Sequence, residues 1–445
     1  MVLSILFNGI KNIIMSKIKK NNVTLKSELA IIGLGYVGLP LAIEFGKKRS
    51  VIGFDINEKR IGQLKNAIDT NFEVSKLEFK HSSHLIVTNN IEDIKNCKIF
   101  IVTIPTPIDQ HKKPDLNLLK KCCKMIGSFI KKGDLVIFES TVYPGATENI
   151  FAIILEKHSG LKFNRDFYCG YSPERINPGD KLNKITKIKK ITSGSTSKIS
   201  EIVDNLYKQV ITAGTFKAKD IMTAEAAKVI ENIQRDVNIA LMNELVLVFN
   251  KINVNIFNVL DAANTKWNFL PFYPGLVGGH CVSVDPYYLI KRSLSAGFNP
   301  RLIREARKLN NGMSSYIVSK IKIEMKKKKM RIKNSNILIL GLAFKENCVD
   351  FRNSQVIKIY DKLKRLKVDV SIFDPLVDKI EVKNSHGISL INKPKLKNYD
   401  TVIIAVAHDE FKKLSIKKLT RFCKKKHLIY DLKNILPENK SIIKF

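Results

Sequence analysis

The feature that most constrains this chain is a glycine triplet with a fixed place in the apolar pattern. Gly33-Leu34-Gly35-Tyr36-Val37-Gly38 ends a short apolar run (Glu28 to Gly33) and opens the helical pattern of Leu39 to Lys48; a second apolar run, Val51 to Phe54, follows. In that setting the first glycine permits a tight turn, the second lets backbone approach a pyrophosphate, and the third lets helix pack on strand. The helix N-terminus then faces the anion. Asp55 ends the second run, about 17 residues after Gly38, where a carboxylate holds the adenosine ribose hydroxyls and repels a 2′-phosphate, which favours NAD over NADP. The competing reading is a glycine turn with a capping aspartate and no ligand.

Further apolar runs at Ile99 to Ile104, Leu135 to Phe138, Phe167 to Gly170 and Ile191 to Gly194 extend the βαβ grammar, so the first ~210 residues read as a parallel, doubly wound sheet. From Ala224 to Val248 the period changes. Ala226, Ile230, Ile233, Val237, Leu241, Leu245 and Val248 recur every three or four residues and predict one long amphipathic helix, a natural dimer surface. Helical pattern continues at Ile256 to Ala263 and Ile303 to Lys326. Strand grammar returns with SNILILG at Ser335, Val368 to Asp374, Thr401 to Ala407 and Leu428 to Leu432. The expected fold is α/β, with two Rossmann-like doubly wound domains joined by a long central helix and a helical middle domain. Its divisions fall at 28–215, 216–325 and 326–445, after an N-terminal extension, 1–27, in which Met15 is an alternative start.

Composition excludes several classes. The 445 residues are 44% hydrophobic and 26% charged, which suits a globular chain of two or three domains. Runs such as Val402 to Ala407 fall far short of the ~20 residues of a membrane span. Seven cysteines without a CxxC pair predict reduced thiols in the cytoplasm, and eight histidines without HxxxH or HExxH spacing predict no metal site. The net charge of +35 admits a polyanion surface, or lysines spread over solvated faces with a pocket for a phosphate-bearing substrate. The lysine runs lack interleaved aromatics and any helix-turn-helix or RNA-binding signature, so nucleic acid is not the expected main partner.

Two further patterns carry chemistry. Cys281 follows paired glycines, Gly278 and Gly279, with Asp285 four residues on; a lone cysteine is otherwise more often a small buried hydrophobe. On the long helix, Lys228 and Asn232 are spaced i, i+4 and Arg235 lies three further on, roughly opposite the apolar stripe. The plain reading is a solvated face. The sharper one is a pair of donors for a developing oxyanion, which alone would suit one-step hydroxyacid dehydrogenases. The thiol separates the two chemistries, because an aldehyde surrenders hydride only after a nucleophile has made its carbon tetrahedral.

Taken in order, GLGYVGLPLA, VTIPTPID, ESTVYPGATE, GYSPERINPG, AEAAKVIENIQRD, KWNFLPFYPGLVGGHC and LGLAFKENCVDFRN resemble the nucleotide-sugar 6-dehydrogenases, the family of UDP-glucose and GDP-mannose dehydrogenases, from about Leu29 to Leu436. GYSPERINPGDK and KWNFLPF are similar to its UDP-N-acetylhexosamine branch, of the Vi-antigen type. The resemblance implies a four-electron, NAD-dependent oxidation of C6 of a UDP-sugar to the uronate for surface polysaccharide precursors. UDP-N-acetylglucosamine is the first expectation; UDP-N-acetylgalactosamine, UDP-N-acetylmannosamine and UDP-glucose stay open, as does a non-catalytic nucleotide-binding member. It further implies Cys281 as nucleophile supported by Asp285, Lys228 and Asn232 holding the C6 oxygen and a water, Glu174 as general base with Arg175 beside it, and Thr141 placing water. Tyr36, Val37, Arg60, Pro105, Thr106 and Ser140 would lie along NAD, with Arg352 reaching the cofactor. Phe344, Lys345 and the Pro274 to Gly279 loop, including Gly275, Gly278 and Gly279, would meet the sugar nucleotide. Tyr273 stands where this branch usually has arginine, which bears on substrate preference. The implied assembly is a homodimer through the Ala224 to Val248 helix.

Overall fold

The computed structural model describes residues 28–175, 184–439 and 441–445. The expected N-terminal extension with Met15, and the Ile176 to Lys181 end of GYSPERINPGDK, lie outside the described residues. The chain forms two compact units. One runs up to Ile230 and takes in Tyr287–Arg292; the other comprises Glu231–Pro286 and Ser293–Phe445.

The first unit holds eight strands: β1 (Leu29–Ile32), β2 (Val51–Phe54), β3 (Leu85–Thr88), β4 (Ile99–Val102), β5 (Leu135–Phe138), β6 (Tyr168–Tyr171), β7 (Lys190–Gly194) and β8 (Thr215–Lys217). Their order is β3-β2-β1-β4-β5-β6-β7-β8. β1 is flanked by β2 and β4, with Leu29 opposite both Val51 and Ile99, so the glycine turn leaves the sheet where the strand order reverses. LAII, IFIV and LVIF are buried throughout, as continuous apolar strands covered on both faces should be. Helix α1 (Gly38–Gly46) packs Leu39, Leu41 and Phe45, and helix α2 (Ser197–Lys208) packs Val203, Leu206 and Tyr207, into one core with Ile31, Ile101 and Ile137. The sheet departs from a wholly parallel one at β7, which runs antiparallel to β6. A parallel neighbour needs a crossover of a dozen or more residues, usually a helix. The described part of the β6–β7 connection holds only the 3₁₀ turn Ile185–Lys187.

The second unit holds β9 (Asn336–Leu340), β10 (Asp369–Phe373), β11 (Tyr399–Ile404), β12 (Cys423–Asp431) and β13 (Ile442–Lys444), all parallel, in the order β10-β9-β11-β12-β13. Its helices include the C-terminal part of α3 (Ile221–Lys251), then α4 (Ile256–Ala263), the two ends of α5 (Asp285–Ser295), whose middle belongs to the first unit, and α6 (Arg301–Lys327). Met242, Val246, Leu260, Ile317 and Ile321 share one core with Ile339 and Ile403 of the sheet. No helix of the described residues is long and apolar enough to cross a membrane.

Helix α3 corrects the expected orientation. Ile230, Leu241 and Val248, members of the predicted apolar stripe, are 53%, 48% and 48% exposed, while Glu225, Lys228, Asn232, Asp236 and Asn243 are buried. Arg235 is on the solvated side. The buried face is polar because partners from neighbouring segments satisfy it, which residue period alone does not reveal. Asp236 Oδ1, for example, accepts from Arg307 Nη1 at 2.5 Å and from Asn310 Nδ2 at 2.7 Å, and burial raises its carboxyl.

A buried ion pair loses far more when one partner is removed than when both are. Arg307→Met should destabilise the chain by about 3–5 kcal/mol, and Asp236→Asn in that background should recover much of the loss; denaturant unfolding of the single and double variants measures both.

Candidate active site

The glycine turn is built by close backbone approach. Gly33 has φ +96° and its N–H donates to Phe54 O. A Cβ at Gly38 would lie 1.9 Å from Gly33 O and 2.3 Å from Thr103 Oγ1, so any side chain there would lift α1 off the sheet. At Gly35 a Cβ would meet nothing within 4 Å, which leaves the backbone open to a ligand at the helix N-terminus. The Asp55 carboxylate accepts from Leu34 N at 2.8 Å and Asn57 N at 2.9 Å and stays half-buried, with acceptor capacity left for ribose hydroxyls. These features fit a dinucleotide. Tyr36 and Val37 are half-buried beside them. Arg60 sits underneath: Nε donates to Leu34 O at 3.0 Å and Nη2 pairs with Asp69 at 2.8 Å, so it braces the turn.

The loops after β4 and β5 follow. Ser140 Oγ donates to Ile104 O, fixing one loop to the other, and Tyr288 OH donates to Thr106 O at 3.0 Å beside Pro105. Thr141 is half-buried next to Ser140. Glu225 holds the continuation of that loop, accepting from Gly145 N at 2.5 Å and Thr147 N at 2.9 Å. One turn along α3, Lys228 is buried, and among the described residues no carboxylate pairs with its ammonium. Arg175 Nη2 reaches the Lys228 carbonyl at 3.5 Å. Glu174 is buried at the end of β6 and pairs with Lys190 at 3.3 Å.

In the second unit, Asn232 Nδ2 donates to Asp285 Oδ2. That bond fixes the amide orientation, because the flipped amide would set oxygen against carboxylate. Its Oδ1 is buried and has no partner among the described residues, an acceptor waiting for a hydroxyl or a water. Cys281 begins the turn that leads to Asp285, whose N–H donates to the Cys281 carbonyl at 2.9 Å. Of the seven cysteines it alone is not buried. Burial pushes the thiols of Cys97, Cys122 and Cys423 up to about 12, which makes them poor nucleophiles.

The preceding glycines are needed for contact. Gly279 has φ +81°, and a Cβ there would lie 2.8 Å from the Phe344 ring; at Gly278 it would lie 2.9 Å from Asn353 O. Asn353 Nδ2 donates to Gly279 O, and Asn243 clamps Gly275 through both backbone groups, at 3.0 and 2.9 Å. Lys345 lies over the Phe344 ring at 5.7 Å. Arg352 is bidentate on Asp350 at 3.0 and 2.7 Å, and His280 lies 3.5 Å from the same carboxylate. Tyr273 is 49% exposed, its hydroxyl accepting from Asn264 Nδ2.

The structure thus brings together Asn232 with Asp285, Arg175 with Lys228, Asp55 and Arg60 with the glycine turn, and Phe344 with Gly278, Gly279 and Lys345. Sequence reasoning missed Glu225, Asn243, Tyr288, Asn353 and Lys190. AEAAKVIEN places Glu225 one turn before Lys228, and that spacing was the only available signal for any of them.

Three segments match domains of the UDP-glucose/GDP-mannose dehydrogenase family: residues 27–211 its NAD binding domain, 222–312 its central domain and 338–438 its UDP binding domain. The chain is 53% identical to a UDP-N-acetyl-D-glucosamine 6-dehydrogenase of Pseudomonas aeruginosa, over 93% of this chain and 98% of that one. It is 51% identical to the protein of the same name from Salmonella typhi, over 94% and 98%. Among solved structures it is similar to a UDP-D-ManNAc dehydrogenase of Pyrococcus horikoshii, with TM-score 0.85 and 30% identity, covering 94% of this chain and 98% of that one.

Burial pushes the Glu225 carboxyl from an ordinary 4.5 up to about 7, although its backbone hydrogen bonds oppose the rise. The folded chain therefore holds a proton that the unfolded chain has released, and this group's contribution to stability falls as pH rises from about 4.5 to about 7. Glu225→Gln removes that fall, so Tm of the variant minus that of the parent should increase between pH 5 and pH 8; a constant difference in melting scans overturns the assignment.

Proposed function

The chain belongs to the UDP-glucose/GDP-mannose dehydrogenase family, and from that premise we propose that it oxidises C6 of UDP-N-acetylglucosamine to the uronic acid, for surface polysaccharide precursors, through a covalent intermediate on Cys281. It is an NAD-dependent oxidoreductase. The substrate reading is carried by its higher identity, along nearly the whole chain, to the two glucosamine enzymes than to the mannosamine enzyme.

NAD⁺, when held at the Gly33–Gly38 turn and Asp55, would supply the hydride acceptor for two successive oxidations at C6. In the first, the alcohol loses hydride, passes its hydroxyl proton to a water and becomes the aldehyde, with Lys228 and Asn232 holding the C6 oxygen and that water from one turn of α3. The Lys228 charge favours the oxygen as negative charge develops, and the orphan Oδ1 of Asn232 accepts a hydrogen bond from a hydroxyl or the water. The Cys281 thiolate adds to the aldehyde, and the tetrahedral thiohemiacetal loses the second hydride to give a thioester. Water, its proton taken by Glu174 and its place set by Thr141, attacks C6. The C–S bond breaks, releasing the acid and the thiolate. Asp285, bonded to Asn232 and one turn from Cys281, supports the amide through both oxidations.

The cofactor residues are Gly33, Gly35, Tyr36, Val37, Gly38 and Asp55, with Arg60 acting from beneath and Pro105, Thr106 and Ser140 lining the following loops. Gly275, Gly278, Gly279, Tyr273, Arg175, Phe344 and Lys345 serve the sugar nucleotide, and Arg352 reaches the cofactor from its pair with Asp350. Segments 28–215, 216–325 and 326–445 serve cofactor binding, subunit contact and UDP-sugar binding. The enzyme works in the cytoplasm, where its thiol stays reduced.

A panel of UDP-N-acetylglucosamine, UDP-N-acetylgalactosamine, UDP-N-acetylmannosamine and UDP-glucose should give two NADH per sugar with the first and much less turnover with the rest. Cys281→Ser should fold, bind NAD and stop turnover, since a serine hydroxyl stays protonated and is a poor nucleophile at neutral pH and an alkoxide is a poor leaving group; full uronate production by it removes the covalent route.

The half-exposed apolar face of α3, with Ile230, Leu241 and Val248, supports a homodimer through that helix. Leu241→Glu should shift the mass seen by light scattering from two chains to one.

A further inference from the structure

Behind Glu174 lies a charged cluster that the reaction as described does not use. Lys190, the first residue of β7, is buried, and its three N–H groups have three acceptors: Glu139 Oε2 at 2.8 Å, Glu174 Oε2 at 3.3 Å and the Pro173 carbonyl at 3.3 Å. Glu139, buried just past β5, also accepts from the hydroxyl of Tyr207 on α2, and the Lys190 ammonium lies 5.0 Å from the centre of the Tyr207 ring. Glu174 Oε1 accepts from Arg175 N at 2.5 Å. One ammonium is thus shared by two buried carboxylates from different strands. Burial opposes the Lys190 charge, but the two carboxylates more than offset it and hold its proton more firmly than usual; burial raises Glu139 despite the same partner.

A cation that only tied β6 to β7 would need one carboxylate. A shared one divides its field, and the share that Glu174 receives depends on the charge at Glu139. We propose that Lys190 is a positioning residue for the hydrolytic half of the reaction, holding Glu174 aimed through its Oε2, with Glu139 and Tyr207 setting how much of the ammonium Glu174 receives. The inference rests on Glu174 being the base that deprotonates water. When Glu174 takes that proton, Lys190 remains balanced by Glu139, so the step leaves no buried cation without a counter-charge. Among the described residues, the groups facing Glu174 from the elements around it include Lys190 of β7, Glu139 after β5, Tyr207 of α2 and Arg175, its chain neighbour.

Two substitutions separate positioning from scaffolding. Lys190→Met takes away the cation, so the acid limb of kcat, which reports the base of the hydrolytic step, should move to higher pH by about one unit or more. Hydrolysis should slow at least ~10-fold, and the thioester on Cys281 should accumulate, visible as an added sugar-nucleotide mass after acid quench. Glu139→Gln leaves the ammonium to Glu174 alone, so the same limb should move to lower pH. A scaffolding lysine would lower Tm and move neither limb. If Lys190→Met does not fold, the Glu139→Gln limb decides: a downward move supports positioning and an unmoved limb overturns it. Glu174→Gln is the control. If it accumulates thioester while neither limb moves in the other two variants, the positioning role fails and the base stands. If it accumulates none, the base assignment fails and the inference with it.

Discussion

A helix that buries a polar stripe needs partners for nearly all of it, and α3 carries that demand through most of its length. Glu225 is met by two backbone N–H groups of the loop after β5, Asn232 by Asp285, Asp236 by Arg307 and Asn310, and Asn243 by both backbone groups of Gly275. Two of these contacts fix segments without regular structure of their own, the loop after β5 and the stretch at Gly275, while Asp285, Arg307 and Asn310 lie on α5 and α6. Lys228 has no carboxylate partner among the described residues, and Asn232 Oδ1 and Asp236 Oδ2 are buried there without a hydrogen-bond partner; of these, Lys228 and Asn232 are the pair proposed to hold an oxygen. The remaining members of the stripe keep those two in place, since a buried polar group that loses its partner costs the full desolvation of that group.

The parts of the fold with strong local signals were legible in the sequence. Continuous apolar runs gave the central strands of both sheets, and the glycine turn with Asp55 gave the order around β1. β3, β8 and β13 were missed: β3 is a half-exposed edge strand, and β8 and β13 have three residues each, so none offers a buried run. The antiparallel β7 was also invisible, because direction is set by the connection rather than by the strand. On α3 the residue period located the helix and set Lys228 and Asn232 away from the apolar stripe, but it did not show that the polar side is the buried one. Ile230, Leu241 and Val248 are apolar without being core, while Asp236 and Asn243 are core through partners tens of residues away. For the site, single residues with unusual chemistry stood out, notably Cys281 and the Lys228–Asn232 pair. Residues that act by holding others, such as Lys190 or Tyr288, have no sequence mark, since nothing in a lone lysine or tyrosine says which loop it will reach.

The two Rossmann-like sheets show how one local geometry can be put to different uses. Gly33 and Gly341 have φ of +96° and +95°, and each donates its N–H to the residue ending the next strand over, Phe54 or Phe373. Asp55 and Asp374 follow those residues, and each accepts from the N–H just after the glycine, Leu34 or Leu342. There the likeness ends. Asp374 also accepts from the N–H groups of Ala343, Leu376 and Val377 and meets His408 Nε2 at 3.1 Å; burial opposes its charge, yet His408 and those donors hold its carboxyl at about 2. Its lone pairs are spent inside the fold, whereas Asp55, half-buried with two backbone donors, keeps capacity for a sugar. Where the first turn has the open Gly35, the second has Ala343, itself buried, so backbone approach of a pyrophosphate is closed. The second turn is thus closed to backbone approach where the first is open, and what stands beside it is a side chain, Phe344, packed against Gly278 and Gly279 with Lys345 over its ring.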